Sequence, residues 1–517
     1  MAIPLLLILL GTPVRSAPPA AREYGQHWPG FRHTAAERRI SERVRGLTSK
    51  QPLELDAALS RAAREYGAHA AAAEAEGKQL GGETLAEDLW RSGRADVEVL
   101  PLVIRGGKGQ ERSRIVEPFV TGSVLGRGFT HFGVGISDAV ATLLFVRRTV
   151  HLCRASRNLP AERPFELAFG MARRLRAPWV LMTTPAGKVR RTPMRPGDRE
   201  GEVVALLSPV DGSGEYKIEI LARGPTGPVV GALFPLYFGV SAPALPRLQL
   251  LPVTAPPTPR EAVARAAAVL DAARQRRGLA LLKREPTLAR MAGLRASELS
   301  AAAVLVHASP EGEELLERLT REGLPVGRAA ENLAVGPTPE AAAQACLNSP
   351  SHLANLIDER PTHAGLAVMP STSAGGTRQF TLVQLFAELL PEAAGHELGQ
   401  ELVRRINEKR MAAGLSRLER NEDLDSVALA HCRAMIYEDH FGDELPDGRS
   451  LVRQVGQRTD VRRVAADLFV APRIDRALES DKLLDPKHEV LGLAVIQSSS
   501  PRYGANLLWM VIVYGRD

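Results

Sequence analysis

An α+β fold distributed over several domains is predicted from three features of the chain. Leu53, Leu55, Leu59, Ala62, Ala63 and Tyr66 fall on one face at helical spacing, as do Leu288, Met291, Ala292, Leu299, Ala302 and Ala303. Each set is followed downstream by strand-like runs, at 141–146 and at 383–386. The second feature is a stretch of short β-rich runs, 160–240, broken by Gly/Pro turns. The third is an internal repeat: Gly278, Leu279, Leu282, Arg284, Leu288, Ala292, Pro310 and Gly312 recur as Gly414, Leu415, Leu418, Arg420, Leu424, Ala428, Pro446 and Gly448, every pair 136 residues apart without a gap.

At 517 residues the chain exceeds one core, and about 150 residues per domain gives three or four. An apolar fraction of 44% and a charged fraction of 24% are ordinary for a globular protein and unlike a disordered one. A formal charge of +7 over this length, with no run of five or six like charges, leaves no nucleic-acid footprint, and no nucleic-acid partner is expected. Cys153, Cys346 and Cys432 are odd in number and widely separated, so no disulfide framework is expected. Cys346 and Cys432 sit among helix formers and read as small buried hydrophobes. Residues 3–10 form an apolar run and Ser16-Ala17 offers small residues for cleavage, so 1–17 reads as a secretory signal peptide. The run is shorter than the roughly 20 residues a bilayer span needs, and no later segment resembles one. A secreted, periplasmic or cell-surface location is expected.

Residues 20–154 read as helix-rich. In 160–240, Trp179 to Met182, Val203 to Leu207 and Tyr216 to Leu221 read as strands, and Pro185-Ala186-Gly187, Asp211 to Gly214 and Gly224 to Pro228 as turns. Tyr216, Ile218 and Ile220 alternate with Lys217, Glu219 and Leu221, which predicts a strand with one buried face. Short strands of this kind predict an immunoglobulin-like β-sandwich. Residues 241–260 carry Pro243, Pro246, Pro252, Pro256, Pro257 and Pro259 and read as a semi-rigid linker. Two further regions follow, 261–390 and 396–517. The first region repeats their pattern more faintly: Leu53, Leu59 and Ala63 precede Leu282, Leu288 and Ala292 by 229 residues. Glu87-Asp88-Leu89 resembles Glu331-Asn332-Leu333, with Ala466-Asp467-Leu468 as the third version. Thr130-His131-Phe132-Gly133 echoes Thr362-His363-Ala364-Gly365, with Lys487-His488 and Gly492 last.

The linked motifs of 329–386 carry a family resemblance. Ala330-Glu331-Asn332-Leu333-Ala334, Asn348-Ser349-Pro350-Ser351-His352-Leu353-Ala354-Asn355, Thr362-His363-Ala364-Gly365-Leu366-Ala367 and Gln384-Leu385-Phe386 occur in one order. That order resembles the bacterial branch of the CAP superfamily, the fold of cysteine-rich secretory, antigen 5 and pathogenesis-related proteins. The resemblance implies an α-β-α sandwich at 261–390, with degenerate copies at 20–154 and 396–517. It also implies a central cleft built from two His and one or two acids on different helices.

Carried onto this chain, those residues are His307, before Pro310-Glu311-Gly312, then Glu331 and His352. Asn332, Ser349, Asn355 and Gln384 would line the same cleft. Ser349-Pro350 is a good cap and first-turn pair, which puts His352 in the opening turn of a helix, and His307 falls at a helix C-terminus. Two imidazoles and a carboxylate make an acceptable open site for one divalent cation, Zn or Mg. Without the resemblance, each His reads more simply as a hydrogen-bonded residue. The family's aromatic residue before Ser-Pro is Leu347 here, its Arg after the second His is Leu353, and no second acid is evident, so the cleft is expected to be less polar. In 396–517 the repeat register sets Asp443 opposite His307, with His440 nearby, and Ala466 in place of the acid. In 20–154 Glu87 is kept, and His69 falls on another turn.

No His-Glu-x-x-His, Gly-x-Ser-x-Gly or phosphate loop is present in the sequence. The resemblance implies binding of a lipid, sterol, polysaccharide or envelope ligand as the function, and the lack of these signatures agrees with binding over catalysis. The alternative is a metal-assisted peptide or cell-wall hydrolase with Glu331 as base.

Overall fold

The computed structural model describes residues 20–516, apart from 27, 106–109, 138–139, 226, 373–376, 390–394, 447, 501 and most of 303–325, where 307, 315, 318, 319, 322 and 324 are described. The expected signal peptide, 1–17, lies outside the described residues.

The first region holds α1 (Ala35–Leu47), β1 (Glu54–Leu55), α2 (Ala57–Ala75), β2 (Lys78–Leu80), α3 (Gly82–Arg91), β3 (Val99–Arg105), α4 (Gln110–Phe119), β4 (His131–Ser137) and β5 (Val140–Val146). Asp56 starts α2 by accepting from the Ala58 and Leu59 amides. The sheet order is β1-β4-β5-β3, with β1 parallel to β4 and the rest antiparallel. Phe132, Val134, Leu143 and Phe145 pack towards α1 on one face, while Leu144 and Val146 meet Leu59, Ala62 and Ala63 of α2 on the other. The period-2 alternation of each strand thus feeds two cores at once.

An all-β segment follows: β6 (Val150–Leu152), β7 (Asn158–Leu159), β8 (Phe165–Met171), β9 (Arg176–Thr183), β10 (Val189–Arg191), β11 (Met194–Pro196), β12 (Glu202–Leu207), β13 (Gly214–Gly224) and β14 (Gly227–Phe238). These form two sheets, β11-β12-β8-β6 and β10-β9-β13-β14-β7, which share one core that includes Leu167, Phe169, Val180, Ile218, Ile220 and Phe234. Tyr216, Ile218 and Ile220 are buried as the alternation requires. The opposite face departs from expectation: Glu219 is 1% exposed and Leu221 is 4% exposed. The reason is that this face is covered by another part of the chain rather than by water.

The Pro-rich stretch also departs from a free linker. Within it, β15 (Leu250–Pro252) pairs antiparallel with β2, Gln249 accepts from and donates to the chain around Gly81 and Thr84, and Arg91 Nη1 donates to Ala244 O at 2.9 Å. Backbone groups that proline leaves available are satisfied by the first region, so the stretch is held against it.

The next region comprises α5 (Pro259–Gln275), β16 (Lys283–Arg284), α6 (Pro286–Ala302), β17 (Val326–Gly336), α7 (Pro339–Asn348), α8 (Pro350–Leu356), β18 (His363–Thr372) and β19 (Arg378–Leu389). The last holds α9 (Gly395–Ala412), β20 (Glu419–Arg420), α10 (Glu422–Tyr437), α11 (Leu451–Arg458), β21 (Arg462–Ala471), β22 (Val490–Ser500) and β23 (Gly504–Arg516). Their sheets run β16-β18-β19-β17 and β20-β22-β23-β21, again with only the first pair parallel. In the former, Leu366, Val368, Leu382 and Phe386 face α5 and α7, while Ala367, Val383 and Leu385 face α6. Each sheet therefore lies between helical layers.

One close approach recurs in all three sheets. A Cβ added at Gly133, Gly365 or Gly492 would overlap the backbone of Leu59, Leu288 or Leu424 respectively, so glycine lets the helix lie directly on the strand. These leucines are the ones that the 229- and 136-residue offsets align. Strand pairing links Gly365 through Leu385 to Glu331, Gly492 through Val513 to Ala466, and Gly133 through Leu144 to Pro101. Ala466 thus stands at the place of Glu331. The match of Glu87 to Glu331 is corrected: Glu87-Asp88-Leu89 lies on α3, and Pro101 occupies the strand position. Likewise Val490, not His488, stands opposite Glu419 as His363 stands opposite Lys283.

Candidate functional site

The site forms where β17, α8 and the chain beyond α6 meet. Glu331 lies on β17, a strand rather than the expected helix, because β17 pairs with β19 throughout Ala329–Gly336. Its side chain is 4% exposed. His307, with a side chain 33% exposed, places Nδ1 3.0 Å from Glu331 Oε1. Arg318, which no sequence spacing singled out, donates from Nη2 to Glu331 Oε2 at 3.2 Å. Both carboxylate oxygens are thereby engaged, by an imidazole on one side and a guanidinium on the other.

Ser349 caps α8, accepting from the His352 amide at 3.3 Å, with Pro350 in the first turn as expected. His352 is partly exposed, and its pKa is pushed down to about 4, first by burial and then by the charge of His307. It is therefore a neutral imidazole over most of the working pH range. The unfolded chain takes up this proton near 6.5, whereas the folded chain takes it up only near 4. The group's contribution to stability is intact above pH 6.5 and is lost as pH falls from 6.5 to 4. An imidazole titration followed by NMR is expected to show one midpoint near 4. A His352→Gln variant is expected to lose less stability than the native chain over that same pH interval.

Beneath these groups lies an amide network. Asn332 Nδ2 donates to His352 O at 3.1 Å and to Gln384 Oε1 at 3.2 Å, and Asn355 Nδ2 donates to Asn332 Oδ1 at 2.9 Å. Asn332 and Gln384 are cross-strand neighbours on β17 and β19 and are fully buried. The structure thus brings Asn332, Asn355 and Gln384 together, bonded to one another. Ser349 is turned the other way: its Oγ donates to Glu219 of β13 at 2.7 Å. Among the described residues no three His, Cys, Asp or Glu side chains form a metal-ligand group.

The other regions differ at these positions. His440 Nε2 bonds Glu444 O, Asp443 is exposed, and His431, passed over in the sequence, is buried against Gly442 O and Gln454. In the first region His69 Nδ1 sits 3.1 Å from buried Asp88, whose pKa burial pushes up to about 6. Cys153, Cys346 and Cys432 are free thiols, and burial raises Cys346 and Cys432 to about 12, as inert buried hydrophobes behave. No helix among the described residues is long and apolar enough to cross a membrane.

Three sheets laid between helices and a His-Glu pair set over a strand define a class, and comparison with known families names it. Residues 267–386 and 403–514 each match the CAP family, described as the cysteine-rich secretory protein family. These two units are CAP superfamily domains. The chain is similar to an outer surface protein from Borrelia burgdorferi at 23% identity, over 25% of this chain and 95% of that one, with a TM-score of 0.23. An extracellular protein containing an SCP domain from Bacillus anthracis matches at 18% identity over 37% of this chain and 65% of its own length, TM-score 0.23. A cysteine-rich secretory protein from Staphylococcus aureus matches at 15% identity over 29% and 56%, TM-score 0.20. Comparison with curated proteins finds no match.

Proposed function

We propose that the chain is a binding protein of the bacterial CAP type, acting outside the cytoplasm on lipid, sterol, polysaccharide or other envelope ligands through its second unit, residues 261–390. The observation that carries this reading is the pairing of buried Glu331 with partly exposed His307 and with Arg318, beside an amide network of Asn332, Asn355 and Gln384. Such a site holds charge-assisted donors and an acceptor in fixed positions, suited to a hydroxyl-rich or headgroup-bearing ligand. The experiment is binding of the full chain to vesicles with and without sterol and to purified cell-wall polysaccharide. A His307→Ala/Glu331→Gln double variant is expected to weaken the retained class at least about tenfold, the scale of one lost hydrogen bond to a charged group. No retention of any of these probes, or equal retention of the double variant, overturns the proposal.

A divalent cation, Zn or Mg, bound by His307, Glu331 and His352 is the second reading, and one observation favours it: His352 is held in the neutral form that ligates metals. It requires Glu331 to release Arg318, because a guanidinium at 3.2 Å opposes a second cation, and it requires the three side chains to draw together, since as they stand they form no metal-ligand group. Calorimetry with each ion separates the two readings: unchanged affinity in a His307→Ala/His352→Ala variant removes this one. The metal-assisted hydrolase rests on the same release, with Glu331 as base. Turnover of a peptide or muropeptide library that is lost in Glu331→Gln would establish it.

The first region, 20–154, reads as a third, degenerate CAP-like copy, supported by the shared sheet order and the Gly133–Leu59 contact. Its start signal agrees: Asp56, Glu285 and Asn421 each accept from an amide in the first turn of α2, α6 and α10, at the same offsets. The two sheets of 160–240 read as an immunoglobulin-like sandwich, supported by their single shared core. On this reading both are scaffold around the second unit.

A further inference from the structure

The outer face of β13 is occupied by the second unit, and the contacts converge beside the His307–Glu331–His352 cleft. Glu219, 1% exposed, accepts from Ser349 Oγ at 2.7 Å and from the Ser351 amide at 2.6 Å, with one carboxylate oxygen for each. One residue earlier, Asn348 bonds both Lys217 of β13 and Glu83 of α3, so three regions of the chain meet at the start of the helix that carries His352. At the far end of the same strand, the turn joining β13 to β14 reaches the other side of the cleft. A side chain at Gly227 would lie 3.8 Å from His307 Cβ. Fixed at Glu219 and with Gly227 facing His307, β13 and its hairpin run along one flank of the cleft from His352 to His307.

We infer that the β13–β14 hairpin of the all-β segment is a movable wall of the second unit's cleft, latched by Glu219. Two features carry this. A carboxylate buried from water is costly unless hydrogen-bonded, and both of its oxygens find their donors on the second unit, so the latch exists only while the two regions are together. At its far end the wall sets Gly227, which carries no side chain, beside His307. The cleft of an isolated second unit would therefore be open on a side that this chain closes. A ligand of the class proposed above would meet both regions, or would enter when the latch releases; that consequence rests on the binding reading, whereas the wall itself does not.

The test uses the full chain and no ligand, so a blank ligand screen and a failed latch remain distinguishable. Hydrogen–deuterium exchange is measured for peptides covering 349–356, 214–238 and, as an internal reference, 422–437, in native, Glu219→Ala and Glu219→Gln chains, together with the NMR signals of the His307 ring. In Glu219→Ala, exchange in 349–356 and 214–238 is expected to rise together about tenfold or more, the His307 signals are expected to shift, and 422–437 is expected to stay unchanged. Glu219→Gln keeps an accepting oxygen and the volume of the side chain, and is expected to fall between the two; it decides the matter if the alanine variant unfolds throughout. A rise confined to 349–356, with 214–238 and the His307 signals unmoved, makes Glu219 a local helix cap and overturns the inference.

Discussion

Replacing Gly365 by alanine is expected to lower the stability of the second unit by about 3 kcal/mol or more, at the upper end of what over-packing costs. The added methyl has no rotamer in which to escape, since it meets the α6 backbone at Leu288 and Ala289 rather than a flexible side chain. Relief requires α6 to lift from β18. That would disturb the core of Leu288, Ala292, Val383 and Leu385, and with it the sheet that presents Glu331. Denaturant unfolding of the full chain checks this. Gly133→Ala and Gly492→Ala are expected to produce effects of the same size, each confined to its own region. A Gly133→Ala variant as stable as the native chain would show that α2 does not lie on β4 as α6 lies on β18, and would remove the argument for a third copy.

The second large effect is expected at a pair of buried arginines. Arg274 and Arg410, each 1% exposed, are 136 residues apart and play the same part. Arg274 donates to the carbonyls of Ala280, Leu356 and Asp358 at 2.8 to 2.9 Å, tying the end of α5 to the turn that follows α8. Arg410 donates to those of Ser416, Leu483, Asp485 and His488. Arg274→Met keeps the packing of the aliphatic stem but leaves three carbonyls without their donor. Unmet buried acceptors cost about 1–3 kcal/mol each before relaxation, so a loss of about 3 kcal/mol or more is expected. Thermal unfolding checks it. The parallel Arg410→Met change is expected to match it in the third region, and a loss under about 1 kcal/mol in either would mean that water replaces the guanidinium. Because Leu356 ends the helix that carries His352, Arg274→Met is also expected to shift the His352 titration, a change that a purely local defect at Ala280 would not produce.

Much of this fold was legible in the residues because the signals are short-range. Leu288, Met291 and Ala292 predict the buried face of α6 from spacing alone. Ser349-Pro350 predicts the start of α8 from the hydrogen-bonding chemistry of two adjacent residues. The 136-residue register is legible because it runs without a gap through one helix and its approach, from Gly278 to Ala292 and from Gly414 to Ala428. Glu331 and His307 were reached through the family motifs, and the fold does set them side by side. Arg318 was not reachable: it lies 13 residues before Glu331 in a mixed-charge stretch, and no motif or spacing relates the two. Glu219 was misread for a related reason. Its alternation with Ile218 and Ile220 assigned it correctly to the outer face of β13, and nothing within the strand indicates that α8, some 130 residues away, covers that face.

The amino-acid sequence by itself determined many of the helices and strands, the cap of α8 and the repetition of one unit, since each of these is written in spacing and in neighbouring residues. Only the tertiary structure decided that the Pro-rich stretch is held to β2, that Pro101 rather than Glu87 stands at the acid's place, that Glu331 spends its charge on Arg318, and that the all-β segment flanks the cleft. Those outcomes depend on which surfaces the tertiary fold brings together, and desolvation and charge pairing act only after they have met.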